Sequence, residues 1–131
     1  MKKFLRISGK AFVTADGIDY DQKSDRGRGC YSKTAEEPDP KQVALSKRFI
    51  SENCEPSKGY SKKPPYTSYG WKHYVEDWIN GLGNGHVYIS NGAFIQAAME
   101  SGIQLRISDD KINARLKLRL KRGVVIANRI N

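Results

Sequence analysis

No apolar run in this 131-residue chain approaches the ~18 residues that a membrane-spanning helix requires, so no contact with a bilayer core is expected. The basic start, MKKFLRISGK, is not followed by the ~7–15 apolar residues of an export signal, and a cytoplasmic protein is the expectation. Cysteine is scarce. Cys30 and Cys54 are too few for a disulfide framework, and without an export signal both are expected to stay reduced. His73 and His86 would complete a set of four zinc ligands, but the intervening 23, 18 and 12 residues match no close-paired metal pattern, so no metal is assigned. Internal repeats and low-complexity tracts are lacking too, and the length suits a single domain over 1–131.

The most informative scarcity is of acid. From residue 111 onward the chain carries Lys111, Arg115, Lys117, Arg119, Lys121, Arg122 and Arg129 with no Asp or Glu. That stretch supplies +7 of the net charge of +9, which leaves +2 for the other 110 residues. A field concentrated in this way attracts polyanions, whereas dispersed charge would serve solubility equally well.

Within that stretch, INARLKLRLKRGVV alternates. Ile112, Ala114, Leu116, Leu118 and Leu120 take one parity, and Asn113, Arg115, Lys117, Arg119 and Lys121 take the other. On a helix these apolar residues would scatter around the cylinder, so the pattern predicts a strand with one apolar and one cationic face. Cations on one face of a strand stand roughly 6.6–6.8 Å apart, twice the rise per residue. With Asp109-Asp110 as a turn, pairing at a residue-number sum of 219 sets Ile107 against Ile112 and Leu105 against Ala114. Arg106 then joins the basic face. The same alternation suits a sheet with one wet face, where Lys and Arg discourage edge-to-edge association. The length of the acid-free run favours a docking surface.

Three helices are expected around this hairpin. Asp39 as N-cap and Pro40 as first residue open one near 40–54. SYGWKHYVEDWINGLG predicts another over 68–80, with Trp71, Tyr74, Val75, Trp78 and Ile79 on an arc of roughly 140° and Lys72, His73, Glu76 and Asp77 opposite. A short strand at HVYI should lead into a third helix over 91–101, capped by Ser90 and stopped by Gly102. Short strands suit the stretch around Gly9, and VVIA offers a last one. Residues 14–40 are polar and rich in Asp, Gly and Pro, which predicts a long connection, mobile or functional. The expected fold is α+β: a small antiparallel sheet, dominated by residues 103–121, packed against about three helices.

A second candidate surface is GYSKKPPYTSYGWKHY, where Lys62 and Lys63 are interleaved with Tyr60, Tyr66 and Tyr69. Aromatic planes beside cations can stack exposed bases, and the same composition suits a protein interface. DRGRG adds Arg26 and Arg28 in the long connection. A winged helix is not indicated, because ten residues separate the second and third helices where a 3–4-residue turn is expected. Catalytic patterns are weak. Asp16, Asp19 and Asp21 lack the spacing and closing Glu of a calcium loop, and GLGNGH lacks the Lys and Ser/Thr of a phosphate loop. His73 has carboxylates on its own helix face but no Ser or Cys nucleophile in a familiar pattern. No catalytic residue and no cofactor are assigned.

SYGWKHYVEDW followed by YISNGAFIQAAMESGIQ, with Asn113-Ala114 beyond, resembles a segment of short, poorly characterised proteins of bacteriophages and bacterial mobile elements. The resemblance spans roughly residues 67–118. It implies a setting in a bacterial host cell and a role in binding nucleic acid or in disabling host machinery such as CRISPR or restriction complexes. The expected function is therefore non-enzymatic binding of DNA, RNA or a nucleoprotein. Arg106, Arg115, Lys117, Arg119 and Lys121 would carry it, with Lys62, Lys63 and Tyr66 secondary. The alternatives are an inhibitor that binds an acidic protein surface and, third, a metal-dependent nuclease using Asp19.

Overall fold

Asp39 and Pro40 start the first helix as their positions predict. The Asp39 carboxylate accepts from Lys41 N at 2.8 Å, and Pro40 begins α1, Pro40–Asn53, where a missing N–H costs nothing. In a computed structural model the described residues are 2–22, 34–83 and 85–126; DRGRG and Cys30 lie outside them. Helix α2 runs Ser68–Gly81 and buries Trp71, Tyr74, Val75 and Ile79. Helix α3 runs Asn91–Glu100; Ser90 Oγ accepts from Ala93 N at 3.1 Å, and Gly102 follows at φ 81°. The aromatic side chains lock α1, α2 and α3 together. Trp71 stacks on Phe94 with centroids 6.1 Å apart, and Phe49 meets Trp71 edge-on at 6.4 Å. Among the described residues no helix is long and apolar enough to cross a membrane.

The strands pair antiparallel, and the fold is α+β as expected, but they form three two-stranded sheets rather than one. β1, Ala11–Thr14, pairs with β2, Gly17–Tyr20. β3, Cys54–Pro56, pairs with β6, Leu118–Leu120, and β4, Leu105–Ile107, pairs with β5, Ala114–Leu116. The ribbon expected over 103–121 therefore changes partner at Lys117. The Lys117 N–H donates to Gln104 O at 2.9 Å, and its carbonyl accepts from Ser57 N at 3.0 Å. One residue thus ties two sheets.

The hairpin also differs in register. Leu105 faces Leu116, Arg106 faces Arg115 and Ile107 faces Ala114, a sum of 221 rather than 219. The loop is longer than a two-residue turn because Asp110 organises it. Its carboxylate accepts from Ile112 N and Asn113 N at 2.9 Å and bonds Ser108 Oγ, while Lys111 takes a left-handed φ of 68°. A slip of two residues keeps every side chain on its face, so the apolar pairing survives.

Three further expectations change. β2 lies inside the stretch read as a connection, with all four of its residues buried. Residues 86–89 form no strand, since side chains satisfy the backbone there: Ile89 N donates to Glu76 Oε2 and Ser90 N to Gln42 Oε1, both at 2.9 Å. Residues 124–126 form no strand either, although Ile126 is buried.

The core has two parts. The larger lies between the helices and the inward residues Leu116 and Leu118, and the smaller joins β1 and β2 to Ile95 and Ala114. Gly92 sits where they meet. A Cβ there would stand 1.5 Å from Thr14 O, so only glycine lets α3 approach the β1–β2 turn this closely.

Candidate nucleic-acid interface

The side-chain alternation of 114–121 persists through the change of partner. Ala114, Leu116 and Leu118 are buried, whereas Arg115 and Lys117 are half-buried and Arg119 and Lys121 exposed. The cationic face is not left open as a bare ribbon. Residues 57–63 run against it, and Tyr60 marks the meeting point: Arg106 Cζ lies 4.5 Å and Lys117 Nζ 5.3 Å from the centre of its ring. Arg115 donates through Nη2 to Ser61 O at 2.9 Å. This segment adds cations of its own, Lys58, Lys62 and Lys63, all exposed and without an ion pair among the described residues.

The two candidate surfaces are thereby brought together. A groove of about 940 Å³ is lined by Lys58, Tyr60, Lys62, Lys63, Leu118 and Arg119 among others. A smaller hollow of about 450 Å³ shares Ser61, Lys63, Leu118 and Arg119 with it and extends to Trp71 and Lys121. Glu55, opposite Arg119 on β3, brings a carboxylate to the surface and lies 3.4 Å from its Nε. Lys121 Nζ donates to Ser51 O at 3.1 Å. Tyr66 is exposed but lines neither depression. Tyr60 was read from the sequence only as part of the aromatic and lysine stretch, and Lys58 was not singled out. The available signal was the GYSKK spacing, which puts an aromatic residue two and three positions before a lysine pair.

A separate polar cluster lies on α2. Lys72, expected on the wet face, is only 4% exposed. Its ammonium bonds Glu76 Oε2 at 3.2 Å and lies 5.4 Å and 4.5 Å from the ring centres of Tyr69 and Tyr88. Glu76 Oε1 stands 2.8 Å from His73 Nδ1. Burial pushes the Glu76 carboxyl upward, but bonds from Ile89 N, His73 and Lys72 outweigh it and hold the group below its ordinary range. These groups cross-link α2 to residues 88 and 89.

Other candidate groups are engaged in the fold. Both Asp21 oxygens bond Arg6 at 2.8 Å, and Asp19 is buried with Oδ1 accepting from Tyr20 N. Burial pushes the Cys54 thiol up to about 12 against a smaller downward pull from Lys121, so it is no thiolate nucleophile near neutral pH. Among the described residues no three His, Cys, Asp or Glu side chains cluster as metal ligands would. In comparisons with known proteins, no family model, curated protein or solved structure matches this chain.

Proposed function

We propose that this chain is a non-enzymatic protein that binds nucleic acid, or the nucleic-acid part of a nucleoprotein, through the basic surface centred on Tyr60. One observation carries the reading. Eight cations, Lys58, Lys62, Lys63, Arg106, Arg115, Lys117, Arg119 and Lys121, are linked by contacts and shared groove walls, with Glu55 as the paired carboxylate. Solubility needs no such convergence, whereas a phosphate backbone rewards it through counterion release. Tyr60 gathers the cations of both segments, since Arg106 and Lys117 pack on its ring. The resemblance of residues 67–118 to proteins of phages and mobile elements supports placing this activity in the cytoplasm of a bacterial host, in counter-defence.

The experiment is a titration with mixed-sequence DNA and RNA at about 50 mM salt, where phosphate contacts are strong. Arg115 is a poor residue to alter, because its bond to Ser61 O shapes the surface. The exposed pair Lys62→Glu with Arg106→Glu should abolish a gel shift and leave the melting temperature nearly unchanged. Wild-type protein that shifts neither polymer at that salt defeats the proposal. The exposed tyrosines favour the second reading, an inhibitor docking on an acidic protein: Tyr69 and Tyr88, 54% and 63% exposed, flank Lys72 on another part of the surface.

A further inference from the structure

The hollow of about 450 Å³ beside the groove differs from it in chemistry. Its lining combines apolar residues, Pro64, Pro65, Leu118, Leu120 and Val124, with the cations Lys63, Arg119 and Lys121. Its volume falls within the ~300–1,000 Å³ of small-ligand sites. Trp71, 1% exposed, contributes to the wall, and its indole N–H has no acceptor among the described residues. A long polyanion needs only the open groove. A hollow whose lining combines proline, leucine and valine carbon with three ammonium or guanidinium groups asks for a compact molecule with an apolar body and an anionic end.

We infer that this hollow binds a nucleoside monophosphate, free or as the phosphorylated end of a strand lying in the groove, with the base against the proline and leucine wall and the phosphate among Lys63, Arg119 and Lys121. The strand-end form rests on the nucleic-acid reading above; the free-nucleotide form does not. Because Ser61, Lys63, Leu118 and Arg119 serve both depressions, a strand can pass from one into the other without leaving the basic surface.

The test uses the full ¹⁵N-labelled chain titrated with AMP, adenosine and inorganic phosphate, following the Trp71 indole N–H resonance. AMP should move it, and adenosine or phosphate alone should need at least about tenfold higher concentration, the worth of one charge-assisted bond. In parallel, a 5′-phosphorylated oligonucleotide should bind about tenfold tighter than its 5′-hydroxyl twin for the same reason. Val124→Trp, which fills the hollow from a half-buried position outside the groove, should erase both effects and leave binding of the hydroxyl oligonucleotide intact. An AMP response without a preference between the oligonucleotides assigns the hollow to free nucleotide. No response to AMP at millimolar concentration, or equal responses to AMP and inorganic phosphate, overturns the inference whatever the oligonucleotides do. Loss of all oligonucleotide binding with the AMP response retained would defeat only the reading of the groove.

Discussion

Single residues that looked like candidate motifs turn out to be joints of the fold. In SYGWKH, Ser68 Oγ accepts from Ala114 N at 3.0 Å, and Gly70 lies so close to Pro65 that a Cβ would stand 2.9 Å from its ring. In YISNG, Ser90 caps α3, and Asn91 Nδ2 bonds Asn113 Oδ1 at 2.6 Å. Gly92 N donates to Ala15 O at 2.9 Å. The stretches that carry the resemblance therefore report architecture, and the cations of the proposed interface are for the most part separate from them. Gly92 gives the sharpest test. The atoms that a Cβ would meet, Thr14 O and C and Ala15 C, are all backbone and cannot swing aside. Gly92→Ala should cost at least about 3 kcal/mol by overpacking, read as a lowered urea midpoint. Gly59→Ala, where a Cβ meets nothing within 4 Å, should be close to neutral. Equal midpoints for the two variants would show that α3 does not sit against the β1–β2 turn as described.

Between elements, the periodic signals were legible and their partners were not. Helix spans came within about a residue of observation, because apolar spacing and caps are local properties of the chain. The parity of 112–121 was legible for the same reason. The exchange of β4 for β3 at Lys117 was not, since a strand presents one alternation whichever neighbour it pairs with. β2 was hidden because a four-residue strand offers just Ile18 and Tyr20 as apolar marks in a polar stretch. Lys72 was misread because helical periodicity does not foretell that Tyr88 and Glu76 will enclose it. That enclosure makes a prediction for the joint between α2 and residues 88 and 89. Glu76→Gln leaves the Lys72 ammonium buried without its counter-charge, a loss of about 3 kcal/mol near neutral pH. The folded carboxyl titrates below its unfolded value of ~4.3, so its contribution is present above that value and disappears as pH falls through the folded one. The stability gap between wild type and Glu76→Gln should therefore close in acid, measured by urea unfolding from pH 7 down to about pH 3. A gap independent of pH would mean that the charge of Glu76 contributes nothing.

At the scale of the whole molecule, the charge asymmetry of the sequence becomes a surface only through tertiary structure. Residues 111–131 hold +7 of the net +9, yet Lys58, Lys62 and Lys63, outside that stretch, line the groove with Arg119, and Arg106 packs on the groove's Tyr60. Composition could locate the C-terminal cations but not the segment that lies against them, because the contacts of Tyr60 and Ser61 with residues 106–117 span roughly two-fifths of the chain. The consequence concerns salt. If ~4–5 of these cations contact phosphates of duplex DNA, the slope of log K against log salt should be about −4. Each exposed contact removed by alanine substitution should make it shallower by about one. Lys62→Ala and Lys63→Ala should act additively in this respect, and Lys10→Ala, on a cation that lines neither depression, should leave the slope unchanged. A slope near zero with binding retained would mean that hydrogen bonds and apolar contact, rather than ion release, hold the partner. The exposed tyrosines of α2 and residue 88 would then be the surface to alter next.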